Sequence, residues 1–213
     1  MTRFSAFGEA ALLLTFQGAA GSIAGVAEAW RRARIAAIPG VTDIIPAPPA
    51  LLVRFEPRLA TRDAVRERLE AALRGPASAI PAPPAHHVVT VVYGGEAGPD
   101  LEALSARAGL APEEVVRRHA AGRYTVSCTG FAPGFVYLDG LDPGLRVPRL
   151  DEPRVRVPPG SVAVAELYTG IYGAGTGGGW WLIGRTDMPT FDPGAEPPSP
   201  FALGDTASFA PLP

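Results

Sequence analysis

The chain has 213 residues, 47% of them hydrophobic, a net charge of -2 and one cysteine, Cys128. That is enough for a core of ordinary size in one large or two small domains. It leaves no excess of positive charge for nucleic acid or an anionic membrane surface, and no intrachain disulfide. Lysine is absent, so every strong base is an arginine. This removes Schiff-base lysine chemistry and the lysine of a phosphate loop. No run is apolar and long enough to span a bilayer, and residues 1–9 carry no apolar leader core, so a cytoplasmic protein without membrane attachment is expected.

Ala10 to Phe16 is a short apolar run and reads as a buried strand. Ser22 is an N-cap for a helix running to Ile38, with Ile23, Val26, Trp30 and Ile35 at helical spacing and Pro39-Gly40 as its stop. Val41 to Ile45 and Leu51 to Phe55 read as strands joined by a Pro-rich turn. Thr61 caps a second helix with Val65, Leu69 and Leu73 on one face. The order β-α-β-β-α is most of a ferredoxin-like unit. Ile80 to Ala85 reads as an extended Pro-rich linker. His87 to Tyr93 reads as a strand that either completes the first unit or opens the second. Two short helices follow, Pro99 to Ala108 and Pro112 to His119, each with Pro near its first turn. From Tyr124 on, short β-prone runs (124–129, 162–165, 180–184, 207–209) alternate with Gly/Pro turns, the pattern of an antiparallel barrel or sandwich. The expected division is residues 1–85, a small α+β domain, and 86–213, a β-rich domain.

Several segments are candidates for chemistry. GFAPGF, Gly130 to Phe135, holds two aromatics among glycines that let a backbone approach a ligand and a proline that stiffens the turn, and Tyr137 adds a third ring. The alternative is an aromatic-packed turn between strands. Gly173 to Trp180, GAGTGGGW, contains a literal GxGxxG, but the Trp-Trp-Leu-Ile that follows reads as a strand. A dinucleotide site needs a helix there. A glycine loop over a pocket, or a solvated hairpin, fits better. Arg185 at the end of that strand, and Arg154 and Arg156 in an extended segment, suit bidentate recognition of a carboxylate or phosphate, or plain ion pairs. His86, His87 and His119 lack the further ligands of a metal site. His119 ends a helix, where the dipole favours a cation. Cys128 reads as a buried, inert thiol.

Taken in order, YGGEAGPDL (93–101), EEVVRRH (113–119), GFAPGFVYLDGLDP (130–143), PRVRVPPGSVAVA (153–165), TGIY (169–172), GGWWLIGRT (178–186) and FDP (191–193) resemble the B-subunit family of bacterial 5-oxoprolinase. That family is also known as allophanate hydrolase subunit 1 and as the Kip-type histidine kinase inhibitor, and it is similar to half of the carboxyltransferase region of urea carboxylase. The resemblance implies an α+β chain: a ferredoxin-like unit followed by a cyclophilin-like β-barrel. It implies a small-molecule substrate and two partners, a homologous C-type subunit (allophanate hydrolase subunit 2 type) and an A-type subunit of the LamB/YcsF kind. With these the enzyme opens 5-oxo-L-proline to L-glutamate at the expense of ATP, handled by the assembled complex. Arg185 and Arg154 would be catalytic, and Gly130, Phe131, Pro133, Gly134, Tyr137, Tyr168, Tyr172 and Trp180 would line the substrate site. Inhibition of a sensor kinase and a carboxyltransferase role in urea or allophanate metabolism are the alternatives. This chain departs from the family pattern at Tyr168, where Gln is usual, at Val136, Gly173 and Gly177, where Pro is usual, and at Asp139, where Gly is usual. Tyr168 removes a planar amide that donates and accepts. Gly173 is expected to loosen its loop.

Overall fold

The computed structural model describes residues 2–75 and 84–213. They divide into two compact units between Pro83 and Pro84. The linker segment Ile80 to Pro83 lies outside the described residues.

In the first unit, strand β2 (Ala11–Phe16) buries Leu12, Leu14 and Phe16, and β4 (Ala50–Phe55) buries Leu51, Val53 and Phe55. Alternation places each set on one face of the sheet. With β1 (Thr2–Ala6) and β3 (Val41–Ala47) they form an antiparallel sheet in the order β1-β2-β4-β3. Helices α1 (Ile23–Ile35) and α2 (Arg62–Arg74) pack on each other and on the sheet. Both predicted caps form. The Ser22 hydroxyl accepts from the Gly25 N–H at 3.1 Å and Thr61 from the Ala64 N–H at 3.3 Å.

The ferredoxin-like order stands, with one change. Its fourth strand, beside β2, comes from the N-terminus as β1 and not from a strand after α2. Two details of α1 also differ from expectation. The helix stops at Ile35, three residues short of Ile38, and Ile35 is 59% exposed. Val26, Ala29 and Ala33 form its buried stripe, and small alanines hide that period from a reading based on large apolar residues.

The second unit is a closed barrel of seven strands. In chain order these are β5 (His86–Tyr93), β6 (Tyr124–Thr129), β7 (Val136–Asp139), β9 (Ser161–Ala165), β10 (Tyr168–Ile171), β12 (Trp181–Arg185) and β13 (Thr206–Pro211). A two-stranded ribbon, β8 (Arg154–Val157) with β11 (Thr176–Gly178), is separate from it. Strand β5 therefore belongs to the barrel, where it pairs in parallel with β13 and antiparallel with β12. Val91, Val126, Leu138, Val164, Ile183 and Phe209 meet in the interior. Helices α3 (Leu101–Ala108) and α4 (Pro112–Ala121) add Leu101, Leu104 and Val115 to that core.

His119, at the end of α4, is fully buried, and burial lowers its pKa to about 3. It is therefore a neutral imidazole, not the dipole-stabilised cation its position suggested. Its tautomer follows from its neighbours. The single Thr169 hydroxyl proton is donated to the Ala163 carbonyl at 3.0 Å, so Thr169 accepts from His119 Nε2–H at 2.8 Å. Nδ1 then accepts from the Tyr93 hydroxyl at 2.7 Å.

Candidate functional site

Strand β9 is buried on both faces. Val162 and Val164 point into the barrel, while Ala163 and Ala165 point outward beneath a second core of Phe135, Val157, Tyr172, Trp180 and Leu182. Phe135 is the hub of this outer cluster. Its ring centroid lies 4.6 Å from Tyr137, 4.8 Å from Tyr172, 5.4 Å from Trp180 and 5.6 Å from Phe131, mostly edge to face. Tyr137 in turn lies 5.7 Å from Trp180 and 6.1 Å from Tyr168. These are separations at which aromatic rings attract beyond simple burial. Gly170, opposite Tyr137 in the pairing of β10 with β7, supplies the floor. A Cβ there would stand 3.1 Å from both the Phe135 and Trp180 rings.

The GFAPGF segment is the turn that delivers Phe135. Gly130 N–H donates to the Phe135 carbonyl and Phe135 N–H to Ala132, both at 3.1 Å. Phe131 adopts φ +73°, uncommon for a non-glycine residue, and the residue stays 66% exposed. Pro133 is exposed and Gly134 is buried. A Cβ on Gly173 would lie 2.5 Å from Gly134 Cα and from Thr190 Oγ1. Glycine at 173 thus answers a close approach of two backbone segments. The loosening expected from the missing proline gives way to tight packing.

The aromatic residues therefore converge, but in two layers. Phe135, Tyr172 and Trp180 are packed as core, whereas Phe131, Tyr137 and Tyr168 form a rim open to solvent. Burial raises the pKa of Tyr137, and so to a lesser degree does the neighbouring Cys128. Burial, then Asp139 and Cys128, raises that of Tyr168. Both phenols keep their protons at neutral pH and act as donors. Cys128 lies beside Tyr137 in the β6–β7 pairing and is half-buried, its thiol pushed up by burial. Two grooves lie away from this cluster. One of about 550 Å³ runs beside Arg3, Arg66 and Arg74 of the first unit, and one of about 400 Å³ beside His86, Arg123 and Thr206 of the second.

The two candidate arginines separate. Arg154 donates to Asp100 Oδ1 at 2.5 Å, and Asp100 Oδ2 accepts from the Leu182 N–H at 2.7 Å. Arg154 is thus held by a nearly buried carboxylate. In the β8–β11 ribbon it faces Gly178, where a Cβ would run into the Tyr172 hydroxyl. The ribbon therefore brings Arg154 to the edge of the aromatic core. Arg185 is exposed and makes no ion pair among the described residues. It pairs with Ser161, whose carbonyl accepts from the Tyr172 N–H at 2.9 Å, so it stands one strand from Tyr172 at the same end of the barrel. Sequence reasoning missed Phe135 as the hub and Asp100 as the partner of Arg154. Phe135 lay inside the quoted motif. Asp100, just before α3, looks like an ordinary N-cap, yet its side chain makes no cap bond and turns to the arginine instead.

A closed barrel that carries an aromatic, glycine-floored outer core beside a two-stranded ribbon defines the class. The chain belongs to the family described as carboxyltransferase domain, subdomain C and D, whose model matches residues 2–201. Among curated proteins it is similar to the 5-oxoprolinase B subunit of Bacillus subtilis (strain 168), 46% identical over 121 residues, 57% of this chain and 50% of that one. It is 45% identical to the 5-oxoprolinase B subunit of Escherichia coli O157:H7 over 123 residues, 58% of this chain and 56% of the other. The chain spans about half the length of the curated relatives it matches. Among solved structures, TTHA0988 is 30% identical with a TM-score of 0.80, over 100% of this chain and 40% of that chain. PH0987 from Pyrococcus horikoshii is 32% identical with a TM-score of 0.58, over 99% and 97%. The Kluyveromyces lactis urea carboxylase, at 15% identity and a TM-score of 0.74 over 100% and 22%, shares the fold.

Proposed function

We propose that this chain is the B-type subunit of an ATP-dependent amidohydrolase that opens 5-oxo-L-proline to L-glutamate. It works with a homologous C-type subunit and an A-type subunit of the LamB/YcsF kind. The observation that carries this reading is the 41–46% identity to three proteins named as the B subunit of 5-oxoprolinase, in a chain that also retains the aromatic turn and both arginines. A lactam is a poor electrophile. Opening it requires an activated carbonyl oxygen, a positioned water and groups that stabilise the developing anion. On this reading the protonated Tyr137 and Tyr168 phenols donate toward the lactam oxygen, Phe131 supplies an apolar wall, and Arg185 adds an exposed cation at the same end of the barrel.

The glycine segment does not fit a nucleotide site. The glycine segment forms β11 and leads into strand β12, with no helix start to receive a phosphate. No lysine is available, and among the described residues no group of three His, Cys, Asp or Glu side chains could hold a metal ion. We therefore assign ATP to the assembled complex and expect the isolated chain to be inactive. The test is complementation. A bacterial host deleted for the B subunit of its own 5-oxoprolinase, with the other subunits intact, is grown on 5-oxo-L-proline as nitrogen source. Restored growth on expression of this chain supports the reading. No growth, with the chain present in soluble form and bound to the host subunits, contradicts it.

A further inference from the structure

We infer that Asp100 is a positioning residue that holds the Arg154 side chain at the edge of the aromatic core to receive a carboxylate. The inference deepens the proposed function and rests on it for the identity of the ligand, 5-oxo-L-proline being itself a carboxylate.

Three links fix Asp100 in place. Its N–H donates to the Leu182 carbonyl at 2.9 Å, its Oδ2 accepts from the Leu182 N–H at 2.7 Å, and its Oδ1 accepts from Arg154 Nη2. Both carboxylate oxygens are engaged and the residue is 8% exposed. The guanidinium is thus anchored at one end. Its other end is not satisfied: Nη1 is occluded from solvent and finds no partner among the described residues. An ionised donor left in that state is costly, and such groups in native proteins call for a specific explanation. The position opposite Arg154 is Gly178, and the place a side chain would take there is held by the Tyr172 hydroxyl. Burial raises the pKa of that phenol, and the Trp180 backbone N–H against its oxygen opposes the rise. The ribbon register thus brings Arg154 to the edge of the aromatic core, at the glycine that stands against the Tyr172 hydroxyl. The Arg154 side chain keeps 30% of its exposure, and at positions 177, 178 and 179 the ribbon carries no side chain, only partly exposed glycine backbone. A carboxylate entering over that ribbon would meet the part of the Arg154 side chain that stays exposed, and an arginine fixed by a carboxylate of its own is oriented before the ligand arrives.

The test is a titration of the full chain with 5-oxo-L-proline, L-glutamate and 2-pyrrolidinone. It is followed by the 15N–1H signal of the Arg154 side chain, assigned through Arg154→Lys. In parallel, turnover of the assembled complex is measured with wild type and Asp100→Asn. The two carboxylates should shift the Arg154 signal and 2-pyrrolidinone should not. Asp100→Asn should weaken carboxylate binding, or raise KM, about ten- to hundredfold, the effect of one misaligned charge-assisted hydrogen bond, with a smaller change in kcat. An Arg154 signal indifferent to carboxylates overturns the inference even if Asp100→Asn fails to fold. So does an Asp100→Asn protein with a lowered Tm and unchanged affinity, which marks a structural ion pair. A carboxylate response without turnover of 5-oxo-L-proline by the wild-type complex sustains the subsite and sinks the functional reading instead.

Discussion

Replacing His119 by glutamine should flatten the acid limb of the stability curve. The folded protein keeps this imidazole neutral down to about pH 3, whereas in the unfolded chain it takes up a proton below its ordinary value of 6.5. The sign follows from proton counting. Below pH 6.5 the unfolded state binds a proton that the folded state refuses, so the stability tied to His119 is complete above that pH and lost as pH falls toward 3. The loss is roughly 2 kcal/mol by pH 5 and on the order of 5 kcal/mol by pH 3. Burial gives the reason, and Nδ1 already accepts from Tyr93, which would have to turn its own proton away to take a second ring proton. A glutamine at this position cannot titrate. Urea denaturation at pH 7.5, 6 and 5 should show the variant less stable at pH 7.5. Wild type should then lose about 2 kcal/mol more than the variant between pH 7.5 and 5. Parallel losses in the two proteins would refute the neutral, buried histidine.

Phe135→Ala should cost about 3–5 kcal/mol in urea denaturation, because it empties the hub that touches four other rings. Gly173→Ala should cost about 1–3 kcal/mol by overpacking against Gly134 and Thr190. A neutral result would mean that the loop has room, as the sequence suggested. Tyr168→Gln should raise turnover of 5-oxo-L-proline in the assembled complex by restoring the family's planar amide, measured as glutamate released per minute. Arg185→Ala should weaken binding of an anionic substrate, seen as a raised KM, with the Tm of the chain unchanged because the side chain is exposed.

Much of the architecture is legible in the amino-acid order. The two capped helices, strands β2, β3 and β4 of the first sheet and the change to a β-rich half all follow from periodicity and turn residues. The edge strand β1 is not legible, because its residues are only partly buried and Arg3 interrupts any apolar run. Two barrel strands, Val136–Asp139 and Tyr168–Ile171, are four residues long, too short for a period to declare itself. At the site, the motifs GFAPGF and TGIY mark the right region, since aromatic and glycine residues in turns advertise close packing. What they cannot convey is layering. Tyr172 and Trp180 become core while Tyr137 and Tyr168 stay on the rim, and that depends on which strand the β8–β11 ribbon covers. The Asp100–Arg154 pair is 54 residues apart in the chain and depends on tertiary contact alone.

The central claim is that this chain completes a 5-oxoprolinase. Its most direct test is reconstitution with a homologous C-type subunit and an A-type subunit, following glutamate release from 5-oxo-L-proline with and without ATP. The account predicts ATP-dependent glutamate release only when all three components are present, and none from this chain alone. Equal release when this chain is omitted from the mixture, or none from a demonstrably assembled three-component complex, would contradict it.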